Sequence, residues 1–454
     1  MARGNDCHHS VLRIMSFTCT SRSSSVGCST VVEGSEVTKV SFQEYLSKSR
    51  MLKFGLAFSL FYYLCVLVVF IYLLAIDSVD STVYTMDFQV FYEAGQTFLT
   101  SPGAIYSVNP NGLPFRYLPA FAAFVSIFSA VPLFPSYLMN ITLMITLSFC
   151  IVYLVYEVSL KTGVEVTTKN FEKTLTIVAI TPPHVVNLIL GQISHLVIVL
   201  ILIVLLLLVT SSEHQTSRHL VIGIIVGVAI TLKPFCIVFL PFLVPISLKG
   251  RFRINIPVKQ FVGVACGLVI SMLPNIVYFS EYPLAFIEFL QVNLVDGLSF
   301  HHSTSITRLG IALLPFLDTN IVQYSIILVV GGYIFWRSYI SFIRAPMNRK
   351  SYSQHFAMMM FLVLLIYPDS WFLFLAFWYA FLAPSMLQFY TSADLSKETS
   401  KRLDLLWSGS NNLLAFFSIG IVFHYLVLGF DPLIPLWLVA LYLLYQHVSG
   451  QLNT

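Results

Sequence analysis

Apolar residues in this chain fall into long uncharged runs separated by short polar stretches. That is the pattern of membrane-crossing helices, which need about 20 apolar residues each. Phe54 to Ile76 gives 23 residues without a charge. A signal-peptide core is shorter and is followed by a small-residue cleavage site, so this run reads as a retained span. Tyr117 to Tyr156 is a run of 40 uncharged residues, interrupted by Pro132 and Pro135. Thr174 to Ser212 is a run of 39, holding Pro182, Pro183 and Gly191-Gln192. Two shorter runs, 220–232 and 234–248, flank Lys233-Pro234, and others cover 261–280, 319–336, 356–368, 370–393, 405–430 and 432–446. The pattern predicts an all-α polytopic membrane protein with about 12 spans.

Composition narrows the class further. Of 454 residues, 57% are hydrophobic and 10% charged. Soluble domains carry about 25% charged residues, so a water-soluble enzyme of this size is excluded. Net charge is only +4 and no Lys/Arg block exists, which excludes a nucleic-acid footprint. None of the seven cysteines forms a CxxC pair, so neither a disulfide framework nor a zinc site is indicated. Three regions result: a polar, Ser/Thr-rich cytoplasmic tail over 1–50, expected to be disordered; a transmembrane core over 51–345; and C-terminal transmembrane helices over 346–454.

Lys and Arg set the orientation. Basic clusters precede the first span and recur near 161–173, 249–259, 337–350 and 397–402. Two long polar segments hold only Arg116 and Arg308 as cations, beside several carboxylates. These are expected as outer loops, over 77–135 and 281–318. The assignment closes if Tyr117–Pro132 lies along the outer surface instead of crossing. The Gly191-Gln192 turn and the Lys233-Pro234 break then face outward too, the latter joining two short helices.

The outer loops are where polar chemistry can be built. Asp87 sits among apolar and aromatic residues beside the first span, where a carboxylate can act as a base. A solvated interfacial carboxylate or a helix cap is the plainer reading. Glu93 and Tyr92 compete with it, but six helical positions turn Glu93 about 120° away from Asp87. Lys233 stands alone inside an apolar run, at a cost of about 2.5–3.5 kcal/mol on insertion scales, which marks it as functional unless it snorkels. Arg116, Arg308, His301, His302 and His195 are the remaining outer-side groups able to meet an anion. Gln192 can hydrogen-bond sugar hydroxyls or satisfy a helix end, and Tyr117 is a further candidate. No Asp-x-Asp pair is present, and adjacent histidines rarely converge on one ion, so no bound metal or other cofactor is expected.

These motifs together resemble glycosyltransferase family 87. The run Asp87-Phe88-x-x-x-Tyr92-x-Ala94-Gly95 carries the likeness, with Ile105-Tyr106 and Phe115-x-Tyr117-x-Pro119. Gly191-Gln192 and the glycine-spaced run from Gly223 to Lys233-Pro234 extend it. The likeness covers roughly residues 54–345. Arg116 departs from it, since the family usually has a small residue before the Tyr. The resemblance implies a GT-C fold and transfer of a hexose, typically mannose, from a polyprenyl-phosphate carrier to a glycolipid or glycan hydroxyl, with inversion. It implies an acidic catalytic residue in the first outer loop, here Asp87. It places the protein in the cell (plasma) membrane with its site outward, and makes the lipid-linked sugar, the acceptor and membrane lipids its partners. The competing class is a transporter or lipid-sugar flippase, for which the broken segment at 232–234 is the main argument.

Overall fold

The computed structural model describes residues 40–79, 84–165, 168–210, 216–249, 253–295, 305–314, 316, 319–344, 349–367, 370–391, 397–404, 407 and 433–452. The helices run in this order: α1 (Phe42–Lys48), α2 (Arg50–Ala75), α3 (Met86–Thr100), α4 (Pro119–Val125), α5 (Leu133–Lys161), α6 (Lys169–Ile180), α7 (Pro183–Leu190), α8 (Ser194–Thr210) and α9 (Thr216–Leu232). After these come α10 (Val258–Glu281), α11 (Pro283–Leu290), α12 (Ile306–Leu313), α13 (Asn320–Ile326), α14 (Gly332–Arg344), α15 (Arg349–Ile366), α16 (Leu375–Thr391), α17 (Lys397–Asp404) and α18 (Leu433–Leu452).

Six helices are long and apolar enough to cross a membrane: Arg50–Ala75, Leu133–Lys161, Lys169–Leu190, Val258–Glu281, Asn320–Arg344 and Phe372–Tyr390. Five shorter apolar helices accompany them; both counts are of the described residues, which do not confirm the expected total of about 12 spans. Prolines and glycines cut the apolar runs. Pro182-Pro183 kinks α6 into α7, and Gly191 ends α7 in the left-handed conformation. Expected span 405–430 lies almost wholly outside the described residues.

Two other expectations change. The segment 234–248 is not a second short α-helix. Pro234 and Pro241 hold it as a 3-10 helix over Pro234–Phe242, because each proline removes a backbone donor. A two-stranded antiparallel hairpin follows, β1 (Ser247–Lys249) with β2 (Arg253–Asn255), at the basic cluster. The end of the polar tail is also ordered. Ser41 caps α1, and Phe42 and Tyr45 dock edge-on against Tyr153, Tyr156 and Phe171. As expected, the run Tyr117–Pro132 does not cross: it forms only α4 and a short 3-10 turn.

Burial follows lipid rather than water. Helix α2 exposes Phe54, Phe61, Val68 and Tyr72, and α10 exposes Val269, Leu273 and Ile276. α16 is buried throughout its apolar window. Only a hydrocarbon solvent leaves such stripes without penalty. Helices α9 and α10 approach closely because each carries a small-residue stripe. A Cβ on Gly223 would lie 2.2 Å from the Val264 carbonyl oxygen, and one on Gly267 would lie 2.2 Å from that of Leu220.

Candidate active site

One cavity gathers residues that are far apart in sequence. Asp87 and Phe91 come from α3, Arg116 and Tyr117 from the segment before α4, and Gln192 from the turn between α7 and α8. Lys233 and Phe235 follow α9, Asn293 follows α11, and Tyr367, Trp371 and Phe374 come from the junction of α15 and α16.

Helix α3 starts just before Asp87. Thr85 precedes it in the left-handed region, with φ 65°, and its N–H donates to the Ile189 carbonyl at 3.1 Å. A carboxylate in the first turn of a helix is favoured by the exposed N–H groups there. Phe88, Phe91 and Gly95 bury one face of α3 at helical spacing, which leaves Asp87 half-buried at the cavity.

Gln192 is fixed by the end of α7. Gly191 has φ 73°, and a Cβ there would sit 2.5 Å from Cβ of Phe88. The turn is therefore pressed against the residue next to Asp87. The Tyr137 hydroxyl lies 2.9 Å from the Leu188 carbonyl and 2.8 Å from that of Ile189, and Asn140 donates to Gly191 O at 3.0 Å. These bonds satisfy the last carbonyls of α7, which have no helical partner. Gln192 Nε2 then donates to Asp87 Oδ2 at 2.7 Å.

Lys233 closes the arrangement. Its N–H donates to Ala229 O at 2.8 Å as the last link of α9, and Pro234 stops the helix. The side chain is 5% exposed, not snorkelled. Its Nζ donates to Gln192 Oε1 at 2.9 Å and to the Tyr117 hydroxyl at 3.0 Å. It also stands 5.0 Å from the ring centres of both Tyr117 and Phe374, within cation–π range. Tyr117 is held in turn by Tyr106, whose hydroxyl donates to the Tyr117 carbonyl at 2.9 Å. Burial pushes the Tyr106 phenol well above its usual value, so it stays a donor. Asn275 on α10 ties the frame together. It accepts from Ala120 N at 2.8 Å and donates to Thr231 Oγ1 at 3.0 Å, two residues before Lys233.

The other sequence candidates are placed elsewhere. Glu93 accepts from Gln89 Nε2 at 2.9 Å, and the Tyr92 hydroxyl donates to Val131 O at 3.0 Å; neither lines the cavity. His195 is fully buried, stacked on His184 with its Nε2 2.8 Å from His184 Nδ1. His184 Nε2 lies 3.0 Å from the Val178 carbonyl, so it donates there and its Nδ1 accepts from His195. This is a packing pair inside the bundle, because the first turn of α8 carries position 195 back toward α7. Arg308 lies on α12, and His301 and His302 fall outside the described residues. Sequence reasoning missed Asn293, Trp371 and Phe374 as cavity walls. Asp369, which separates the apolar runs 356–368 and 370–393 in the sequence, was the one available signal for that corner.

Chemically, the cavity sets a carboxylate and an ammonium at the two ends of one amide, with aromatic faces around them. A base and a cation held at fixed spacing can accept a proton and meet a developing negative charge. No curated protein matches the chain. The profile of glycosyltransferase family 87 matches residues 115–368, more than half of the chain. The match takes in Arg116, Tyr117, Gln192, Lys233, Asn293 and Tyr367, while Asp87 lies upstream of it. With its apolar spans, its polar cavity and this match, the chain belongs to glycosyltransferase family 87 and is a multi-pass membrane glycosyltransferase.

Proposed function

We propose that this enzyme moves a hexose, mannose by family likeness, from a polyprenyl-phosphate carrier to a hydroxyl of a glycolipid or glycan. The acceptor hydroxyl loses its proton to Asp87 as it attacks the anomeric carbon, and the carrier phosphate leaves with inversion at that carbon. Lys233, joined by Arg116, meets the charge that grows on the departing phosphate. Tyr117, Trp371 and Phe374 offer flat apolar faces for the sugar, and Gln192 keeps the base and the cation at fixed spacing. The reaction takes place on the outer face of the plasma membrane, in line with the charge asymmetry of the loops.

The observation that carries this reading is the Asp87–Gln192–Lys233–Tyr117 chain of hydrogen bonds inside one cavity. The family match favours the enzyme over a transporter. The test is sugar transfer by purified protein from a radiolabelled polyprenyl-phosphate hexose. Asp87→Asn should lower turnover by about 10²–10⁴-fold, the usual worth of a general base, while Glu93→Gln stays near wild type. An Asn variant with normal turnover would falsify the assignment.

A further inference from the structure

A second cavity lies at the other end of α15. It has a volume of about 320 Å³ and is lined by Arg337, Ser341 and Arg344 of α14, Gln354 and His355 of α15, and Gln446 of α18. His355 and Tyr367 are twelve residues apart, so about 18 Å of helix separates this cavity from the active site. The two cavities therefore sit toward opposite ends of α15.

The chemistry of the lining is one-sided. Arg337, Ser341 and Arg344 are spaced i, i+4 and i+7, a single stripe along α14. Both arginines are exposed, and among the described residues no carboxylate lines the cavity. Among the described residues neither arginine forms an ion pair with an acidic side chain; the ion pairs are Lys48–Glu44, Lys173–Asp404 and Arg402–Glu398. The remaining walls are held in place. His355 Nδ1 lies 3.3 Å from Ser338 Oγ, and the Tyr445 hydroxyl donates to Gln354 O at 3.1 Å, which fixes α14 and α18 against α15.

Depth decides what anion reaches it. Arg344 ends the membrane-length helix Asn320–Arg344, and Arg337 lies seven residues inside that end, about 10 Å along the axis. Trp336, beside Arg337, is 62% exposed, and Trp is enriched toward the interfacial ends of membrane helices. At water's share of roughly 30 Å³ per molecule, the cavity has room for a headgroup of about ten non-hydrogen atoms.

We propose that this cavity binds the phosphate headgroup of an anionic phospholipid from the cytoplasmic leaflet, with Arg337 and Arg344 clamping the phosphate and Gln354 and Gln446 contacting the headgroup hydroxyls. Paired arginines suit phosphate because their planar donors engage its oxygens two at a time. Basic pockets between membrane helices on the cytoplasmic side have this use in general. The bound lipid would brace α14, α15 and α18 without entering the reaction.

Native mass spectrometry and thermal melting on the full-length protein test this, with phosphatidylglycerol and phosphatidylcholine titrated separately. Wild-type protein should retain phosphatidylglycerol selectively and melt higher with it. The Arg337→Gln/Arg344→Gln double variant should lose that selectivity by roughly tenfold or more, with phosphatidylcholine binding unchanged. Arg337→Lys/Arg344→Lys keeps the charge and should keep most of the preference, which separates lost binding from lost folding. Equal phosphatidylglycerol binding by wild type and the Gln variant overturns the proposal. Inorganic phosphate raising the melting midpoint as much as the lipid does would also overturn it, since the site would then serve a soluble anion.

Discussion

Gln192 donates to Asp87 at 2.7 Å, and the oxygen of the same amide accepts from Lys233. A carboxylate and an ammonium that would otherwise collapse into a direct ion pair are thus held one amide apart. In the proposed reaction the acceptor hydroxyl and the leaving phosphate would lie in the cavity beside that amide, against Asp87 and Lys233.

Removing the spacer should cost activity without removing either charge. Gln192→Leu leaves both Asp87 and Lys233 short of a partner, and each lost bond to a charged group is worth about 1.5–3 kcal/mol. Transfer should fall by about 10–100-fold. Initial rates on a labelled lipid-linked hexose check this; wild-type rates in the Leu variant would mean the spacer role is wrong.

Lys233 should act on the donor. Lys233→Ala is expected to raise the apparent donor KM and lower kcat by about tenfold or more, with acceptor KM little changed. Lys233→Arg retains a cation but carries a bulkier, planar head into a site built around two rings and one amide, so it should recover donor binding better than turnover. Separate saturation curves for donor and acceptor decide it; an acceptor-only defect would reassign the residue.

Gly191 should tolerate no side chain. Gly191→Ala combines a left-handed backbone with a Cβ 2.5 Å from Cβ of Phe88, a strain of about 1–3 kcal/mol. The melting midpoint should drop, and transfer should drop further because Gln192 moves with the turn. Truncating Phe88 to Ala in the same chain should not rescue it, since the collision is with the Cβ that alanine keeps. A double variant with wild-type melting contradicts this account.

Gly223→Val should unseat Lys233 from a distance. The added atoms meet the Val264 carbonyl, so α9 must move off α10. Loss of folded protein, read by size-exclusion profile, is expected, with transfer abolished in what remains. Gly310→Ala is the control, because nothing lies within 4 Å of a Cβ there; it should be neutral or mildly stabilising.

Transfer should survive chelation. Among the described residues the cavity lining contains one carboxylate, Asp87, whereas protein-bound Mg²⁺ or Mn²⁺ usually takes one or two beside the phosphate. We expect Lys233 and Arg116 to carry the phosphate charge instead. Rates measured in excess EDTA should match untreated rates; loss restored by Mn²⁺ would show that a metal is required.

Much of this protein is legible in its sequence. Long uncharged runs force helices in lipid because unsatisfied backbone groups there cost several kcal/mol each, so α2, α5 and α10 follow from hydropathy alone. Prolines and glycines mark where those runs break, as at Pro182, Gly191 and Pro234. A lone Lys233 and a loop Asp87 stand out because charge is rare in such a chain. Sequence also supplies the family likeness, through motif order.

Which of those residues meet is decided only in three dimensions. Asp87 and Glu93 look alike in sequence, but the buried face of α3, set by Phe88 and Phe91, turns one toward the cavity and the other away. Gln192 and His195 lie three residues apart, yet the left-handed turn at Gly191 sends the amide to Asp87 and α8 carries the imidazole to His184. Lys233 reaches Tyr117 across 116 positions because Asn275 and the glycine stripes draw α4, α9 and α10 together. Hydropathy is a local property of each segment and survives any rearrangement of its neighbours. The cavity is a relation among six segments, and it exists only once packing has brought them to one place.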